Sequence, residues 1–477
     1  MILGGETLAL LTKGTVDYNG NYLFPSSLKL TASDVSEFLD YHKEVDAPAY
    51  KEKLDYYMAK PKTYTNLRDG HNHLVVNYPK YLVDTLNGFF VGIPPTIKTE
   101  TAQVNQKLQD WLTFSDFTDE LSELSKQASL YGKTYMLIYT NEESKVKVTT
   151  VPPYCSFIIY DDSVAHNPLA FVQYQNNDSG STTGTIYFDK HWVQFSNYDK
   201  IKFSDDKHNL LFGGVPAVEF YDNEERTGIT DGVKTLIDSV NKTLSNKADD
   251  VDYFADAYMF LKGFELDLNE QESIKDTRLI QAMVQDSSQD VDAKFLEKPN
   301  ADETQEHLID RETNLIFQLS MVANINDEVF GNATSGRSLE YKLLSMRNLT
   351  SNKERKFTKQ LRKVFDLVSR AVTFGGGKDY SIANDLEFQF VRNLPNNNSE
   401  EADTASKLGG IVSQETQLST LSIVSDPKAE MKKIADEKAE QVKKAIENQQ
   451  KFVGSDSEQS NNNQDSDNNS DNQKADD

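Results

Sequence analysis

The stretch ITDGVKTLIDSVNKTLSNKADDVDYFADAYMFL, residues 229–261, places apolar side chains at Val233, Leu236, Ile237, Val240, Leu244, Ala248, Val251, Ala255 and Tyr258. Spacings of three and four predict one amphipathic helix. At 1.5 Å per residue it would be a rod of about 50 Å. A second amphipathic helix is predicted over 302–323, with Leu308, Leu315, Leu319 and Val322 on one face. The insert between them, 262–301, is acidic and weakly periodic. A third long helix is predicted from Ser338 to Phe374, stopped by Gly375–Gly377. An ordinary compact domain does not bury rods of this length. They are expected to need partners along their whole face, which neighbouring copies of the chain could supply.

Outward from these rods, residues 31–60 predict a helix opening at Ser33 or Asp34 and ending before Pro61. Residues 72–90 predict a loop leading into a short apolar helix, and 101–131 two amphipathic helices. The period then changes. YMLIYT, KVKVTTV, SFIIY, LAFVQYQ, TIYF and VPAVEFY are short β-rich runs split by Asn, Gly, Asp and Pro, so 133–221 is a β-rich block. After the third rod come one strand in DLEFQFVRNLP, 385–395, and a helical end at 399–448. From Ser455 onward the chain is Asn, Asp, Ser and Gln with almost nothing apolar, and disorder is expected. The predicted class is α+β.

The 477 residues include 75 acidic and 50 basic ones, a formal charge of −25. That balance argues against a free basic DNA-binding domain. An acidic wall can still surround DNA that must slide rather than stick. The single cysteine, Cys155, excludes an intrachain disulfide and suits a reducing compartment. The opening MILGGETLALLTKGT lacks a charged leader, and no stretch approaches the 18 or so apolar residues of a membrane span. A soluble protein made in the cytoplasm is expected.

GNATSGRS, Gly331–Ser338, resembles a phosphate-binding loop with Arg337 in place of Lys. A helix precedes it where a working loop needs a buried strand, and Arg poorly replaces the compact ammonium. A flexible loop whose Ser335 or Ser338 caps the next rod is the plainer reading. His71-Asn72-His73 spells a nuclease motif that is normally spread over tens of residues; a polar loop before Leu74 is the plainer reading. The pairs Asp161–Asp162, Asp205–Asp206, Glu224–Glu225 and Asp249–Asp250 read as solvated turns, because adjacent side chains diverge. Cys155 reads as a core thiol. No nucleophile–base arrangement is legible, so no catalytic residue, metal or cofactor is expected. Between Arg347 and Lys363 the third rod reverses the local charge: Arg347, Lys353, Arg355, Lys356, Lys359, Arg362 and Lys363 stand against Glu354 alone. They could meet DNA phosphate. Pairing with an acidic neighbouring subunit or helix is preferred, since Asp302, Glu303, Glu306, Asp310 and Glu312 offer the opposite sign.

Five segments, in this order and spacing, resemble the portal proteins of long-tailed phages of Gram-positive bacteria. They are NYPKYLVDTLNGFFVGIPP (77–95), ASLYGKTYMLIY (128–139), GITDGVKTLIDSVNKTLS (228–245), FGNATSGRSLEYKL (330–343) and GGIVSQETQLSTL (409–421). The resemblance implies a ring of twelve subunits at one capsid vertex, conducting double-stranded DNA without sequence specificity. By domain it implies an N-terminal extension (1–30), a wing (31–228) of helices then β block, stem helices (229–261, 302–323) and a small α/β clip (262–301). A channel loop (324–337), a long helix with returning wing strand (338–398), a crown (399–448) and an acidic tail (449–477) follow. In the loop, Asn326, Asp327, Glu328, Asn332, Thr334, Ser335 and Arg337 would face the duplex backbone, with Gly331 and Gly336 permitting sharp turns. Implied partners are the terminase large subunit, a head-completion or adaptor protein, and the major capsid and scaffold proteins. The residues alone also leave open a packaging-motor ATPase or nuclease, or a structural head protein without a channel.

Overall fold

A computed structural model describes residues 11–61, 71–177, 181–197, 201–255, 259–262, 279–282, 292–295, 302–325, 341–375, 380–393, 398–421, 423–424 and 426–461. The chain divides into two compact units, Met1–Asn393 and Leu394–Asp477. It mixes helix and sheet, as the α+β class requires.

The first unit opens with strands β1 (Thr15–Val16) and β2 (Tyr22–Phe24), then helix α1 (Ala32–Tyr41). A capping box starts α1: the Thr31 hydroxyl accepts from Asp34 N–H while the Asp34 carboxylate accepts from Thr31 N–H. A π-helical turn, His42–Asp46, joins α1 to α2 (Ala47–Tyr57), so the predicted helix over 31–60 is built in three pieces. Helices α3 (Tyr78–Val91), α4 (Ala102–Phe114) and α5 (Phe117–Tyr131) follow, with β3 (Thr96–Lys98) before α4.

The β-rich block forms two sheets rather than one. β4 (Lys133–Thr140) and β5 (Val146–Val151) join β12 (Ala217–Tyr221) in the order β12-β4-β5. The larger sheet takes β6 (Ser156–Asp161), β7 (Pro168–Asn176), β8 (Thr182–Tyr187), β9 (His191–Asn197), β10 (Ile201–Phe203) and β11 (His208–Asn209). It also recruits β1 and β2, through a parallel pairing of Tyr22 with Ile159. Residues expected to be a mere N-terminal extension thus complete a sheet. Val35, Phe38 and Leu39 of α1 cover one face of it, packing with Phe157, Ile159 and Val172. The three-stranded sheet covers part of the other face through Tyr135, Leu137, Ile158 and Phe171.

Helices α6 (Lys234–Ala255) and α7 (Asp302–Ser320) form an antiparallel pair, shown by Ser239 bonding Glu312 and Lys247 bonding Glu306. Of the insert between them, β13 (Met259–Lys262), β14 (Leu279–Ala282) and β15 (Asp292–Phe295) are described, in the order β14-β13-β15. α6 is shorter than the predicted 229–261 rod, about 33 Å at 1.5 Å per residue. From Met259 to Lys262 the chain is strand, pairing with β14 and β15.

Helix α8 (Leu344–Ala371) corrects the expectation that every rod needs a neighbouring copy. Its apolar face (Phe357, Leu361, Val364, Phe365, Val368) is buried inside its own chain against Phe90, Trp111, Phe117 and Phe220. It is the central helix of the largest core. Strand β16 (Glu387–Gln389) returns to pair with β3, Phe388 opposite Ile97.

The second unit holds α9 (Asn398–Leu408), α10 (Gln414–Leu418) and α11 (Pro427–Asn461). Disorder is expected from Ser455 onward, yet α11 runs to Asn461. Its sequence, AEMKKIADEKAEQVKKAIENQQK, is dense in strong helix formers and carries the i,i+4 pair Glu440–Lys444. The helix propagates into the polar stretch because elongation is far easier than nucleation.

Candidate functional site

The functional candidates fall on the α6–α7 pair, the loop after it, and α8. The near end of the pair is anchored on its own chain. Asn241 and Ser245 of α6 accept the backbone N–H groups of Val76 and Leu74 at 2.8 and 3.0 Å. Asp249 accepts from Asn72 N–H at 2.6 Å and lies 2.9 Å from His71 Nδ1. The His-Asn-His stretch is therefore a polar strap along α6, as the plain reading held. At the near end of α7, Phe317 meets Tyr78 and Tyr81 edge to face. The predicted apolar face of α7 divides. Ile316 and Val322 are buried, Leu315 is half-buried, and Leu308 and Leu319 stay 42% and 58% exposed. Val251 on α6 is 59% exposed. The pair thus carries apolar side chains that its own chain does not cover.

Asn326, Asp327, Glu328, Gly331, Asn332, Thr334, Ser335, Gly336 and Arg337 lie outside the described residues, as does Ser338. Tyr81 Oη accepts the N–H of Ile325 at 3.0 Å and fixes where that segment leaves α7.

The seven basic residues between Arg347 and Lys363 do not form one surface. Lys353 is buried: its ammonium donates to Ser125 O at 2.9 Å and Ser129 Oγ at 2.7 Å and pairs with Asp222. Burial pulls its pKa below the ordinary lysine range, and Asp222 opposes that shift. Arg362 donates to the carbonyls of Ala383 and Leu386. Lys356 pairs with Glu224, and Glu354 with Arg392. Arg347 is half-buried; Arg355, Lys359 and Lys363 are exposed. The expected acidic partner, 302–312, is not what α8 uses here. Asp222 and Glu224 come from the turn after β12, while Glu306 and Glu312 are taken by α6.

Sequence reasoning missed Glu219, 5% exposed on β12 and held by Arg226 at 3.1 Å. It also missed His42, whose Nε2 donates to Pro153 O at 2.9 Å and whose Nδ1 accepts from Tyr174 Oη at 2.8 Å. Burial lowers the His42 pKa to about 3. Three of the acidic pairs sit at turns or loops as expected, but Asp249–Asp250 lies inside helix α6, where the solvated-turn reading fails. Asp161 accepts from Ser163 and Asn167, and Asp162 from Ser26 N–H. Among the described residues no cluster of three or more His, Cys, Asp or Glu is placed to hold a metal. Cys155 ends a 3₁₀ turn (Pro153–Cys155) beside the inter-sheet core, and burial pushes its thiol up to about 11. No described helix is long and apolar enough to cross a membrane.

Two of the quoted segments meet in space. Gly132 closes α5 with φ +94°, and a Cβ there would lie 1.9 Å from Arg226 O. A Cβ on Gly228 would lie 2.5 Å from Leu130 O, and Ile229 N–H donates to Ser129 O at 2.8 Å. ASLYG and RTGI are thus pressed together where α5 ends, β4 begins and the chain turns toward α6.

An α+β chain with an anchored helical pair, an insert at its far end and a buried crossing helix is the architecture of a structural subunit. The chain belongs to the family "Phage portal protein, SPP1 Gp6-like", whose model matches residues 36–444. It is 24% identical over 408 residues to the portal protein of Bacillus phage SPP1, covering 81% of this chain and 80% of that one. It is 22% identical over 414 residues to the portal protein of Clostridium phage phiCD119, covering 81% and 89%. Its function is that of a phage portal protein, a structural component of the virion head.

Proposed function

We propose that copies of this chain close into a ring, twelve in the particle, at one capsid vertex, through which double-stranded DNA is packaged and later ejected. The observation that carries this is the α6–α7 pair, anchored at one end and leaving Leu308, Leu319 and Val251 uncovered by its own chain. Identical pairs standing side by side would bury those residues. In this reading α6 and α7 are the stem, 262–301 is the clip, 324–337 the channel loop, 399–448 the crown, and the rest of the first unit the wing. The clip would meet the terminase large subunit during packaging and a head-completion protein afterwards. The wing would face capsid and scaffold proteins.

DNA would pass without base readout, in contact with a polar loop. The formal charge of −25 per copy opposes tight adhesion of the duplex. Energy would come from a separate motor. Negative-stain images of the purified chain test this reading: rings with a central hole wide enough for B-DNA are expected, and a monomer that never closes would overturn it. Replacing Asp327 and Glu328 together by Lys should slow packaging by phosphate adhesion; an unchanged rate would remove the loop assignment.

A further inference from the structure

Arg355, Lys359 and Lys363 repeat every four residues, which puts three cations in one line on the exposed side of α8. None makes a hydrogen bond or ion pair to another described residue. Like charges at this spacing disfavour the helix unless anions answer them. Partial burial of its stem, and after that the charge of Lys359, hold the Lys363 pKa below the usual lysine range.

Lys359 and Lys363 open onto a cleft of about 1020 Å³ between α8, β12 and the large sheet. Its other charged groups are mostly engaged. Arg226 holds Glu219 and Glu224, Arg370 holds Asp366 at 2.7 Å, and Asp17 accepts the N–H groups of Asn19 and Asn21. Asp189 is an exposed carboxylate on the rim. Lys359 and Lys363 therefore line the cleft as ammonium groups that hold no ion pair with another described residue.

We propose that this stripe and cleft receive carboxylate side chains of a second copy of the chain, forming a contact between ring neighbours. Charge complementarity selects that occupant. A chain with 75 acidic residues against 50 basic ones presents carboxylates abundantly, and a ring contact joins two different faces of identical subunits. A cleft of this size admits side chains or a short loop, whereas a duplex would only lie across its mouth. The proposal rests on the ring reading above.

Rings assembled from an equal mixture of ¹⁴N and ¹⁵N chains test it. After native mass measurement, they are treated with a zero-length carbodiimide, digested and sequenced by mass spectrometry. Isotopically mixed peptides joining Lys359 or Lys363 to an Asp or Glu are expected. Intact rings giving only isotopically pure peptides at these lysines, or none, would overturn the proposal and leave the ring standing. Absence of rings in the native measurement would sink both. Because both lysines are exposed, K359E/K363E should fold normally and weaken each contact by roughly tenfold, so its rings fall apart at lower salt. Rings of undiminished salt resistance that have lost affinity for duplex DNA would assign the stripe to DNA instead.

Discussion

Lys353 Nζ stands 3.1 Å from Asp222 Oδ1, the two side chains 2% and 9% exposed, and this pair rivets α8 to the turn after β12. The ammonium also lies over the rings of Phe90 and Phe357, each 5.1 Å from the centroid.

Removing one partner of this pair strands a charge in the core. Lys353→Ala should cost about 3–5 kcal/mol in urea unfolding of the isolated chain. Pairing Lys353→Met with Asp222→Asn should recover much of that loss. A single substitution costing under about 0.5 kcal/mol would show that the pair is solvated in solution.

Gly132→Ala should lower the melting temperature. The new Cβ meets Arg226 O, and φ +94° is itself unfavourable to L side chains, by about 1–3 kcal/mol. Gly88→Ala, where nothing lies within 4 Å of the added carbon, is the control and should be neutral or slightly stabilising.

His42 makes stability pH-dependent in a definite direction. Folded, its pKa is lowered to about 3 from 6.5, so between those values the unfolded chain binds the extra proton. Its contribution is fully present above pH 6.5 and is lost as pH falls through this window, by about 2 kcal/mol at pH 5. Urea midpoints from pH 8 to 4 should fall less steeply in His42→Phe than in the parent; parallel curves would refute the assignment.

Leu308→Asp with Leu319→Asp should abolish rings and leave a folded chain. Both side chains are exposed in the single copy, so circular dichroism should not change. Sedimentation should show the mass of one subunit. Persisting rings would remove the α6–α7 pair from the interface.

The thiol of Cys155, pushed up to about 11, should react slowly with iodoacetamide at pH 8 and rapidly once the chain is unfolded in urea. Equal rates would mean the inter-sheet site is open.

The helices were legible because a core-facing helix repeats every three to four residues, and α3, α4, α5, α7 and α8 do. The β block was legible as strands, not as two sheets. Which strands pair is decided across the chain: Tyr22 finds Ile159, and Ala217 finds Leu137. Lys353 was grouped with the exposed cations because sign was read before period. Its place in the row Met346, Thr350, Lys353, Phe357, Gln360, Leu361 and Val364 marks the buried face. That Lys353 and Lys356 pair with Asp222 and Glu224 was not legible, because opposite charge in sequence says nothing of proximity. Glu306 and Glu312 were already spent on Lys247 and Ser239.

The crossing helix that completes the main core comes late in the chain, after the α6–α7 pair and its insert. A polypeptide released early, before Leu344, would carry both sheets of the β-rich block and the α6–α7 pair but lack the segment that fills the main core. It would present raw apolar surface to proteases and chaperones instead of a finished flank to its neighbours. Synthesis order would thereby act as a filter: a truncated product would be open to removal singly, before it could join other copies.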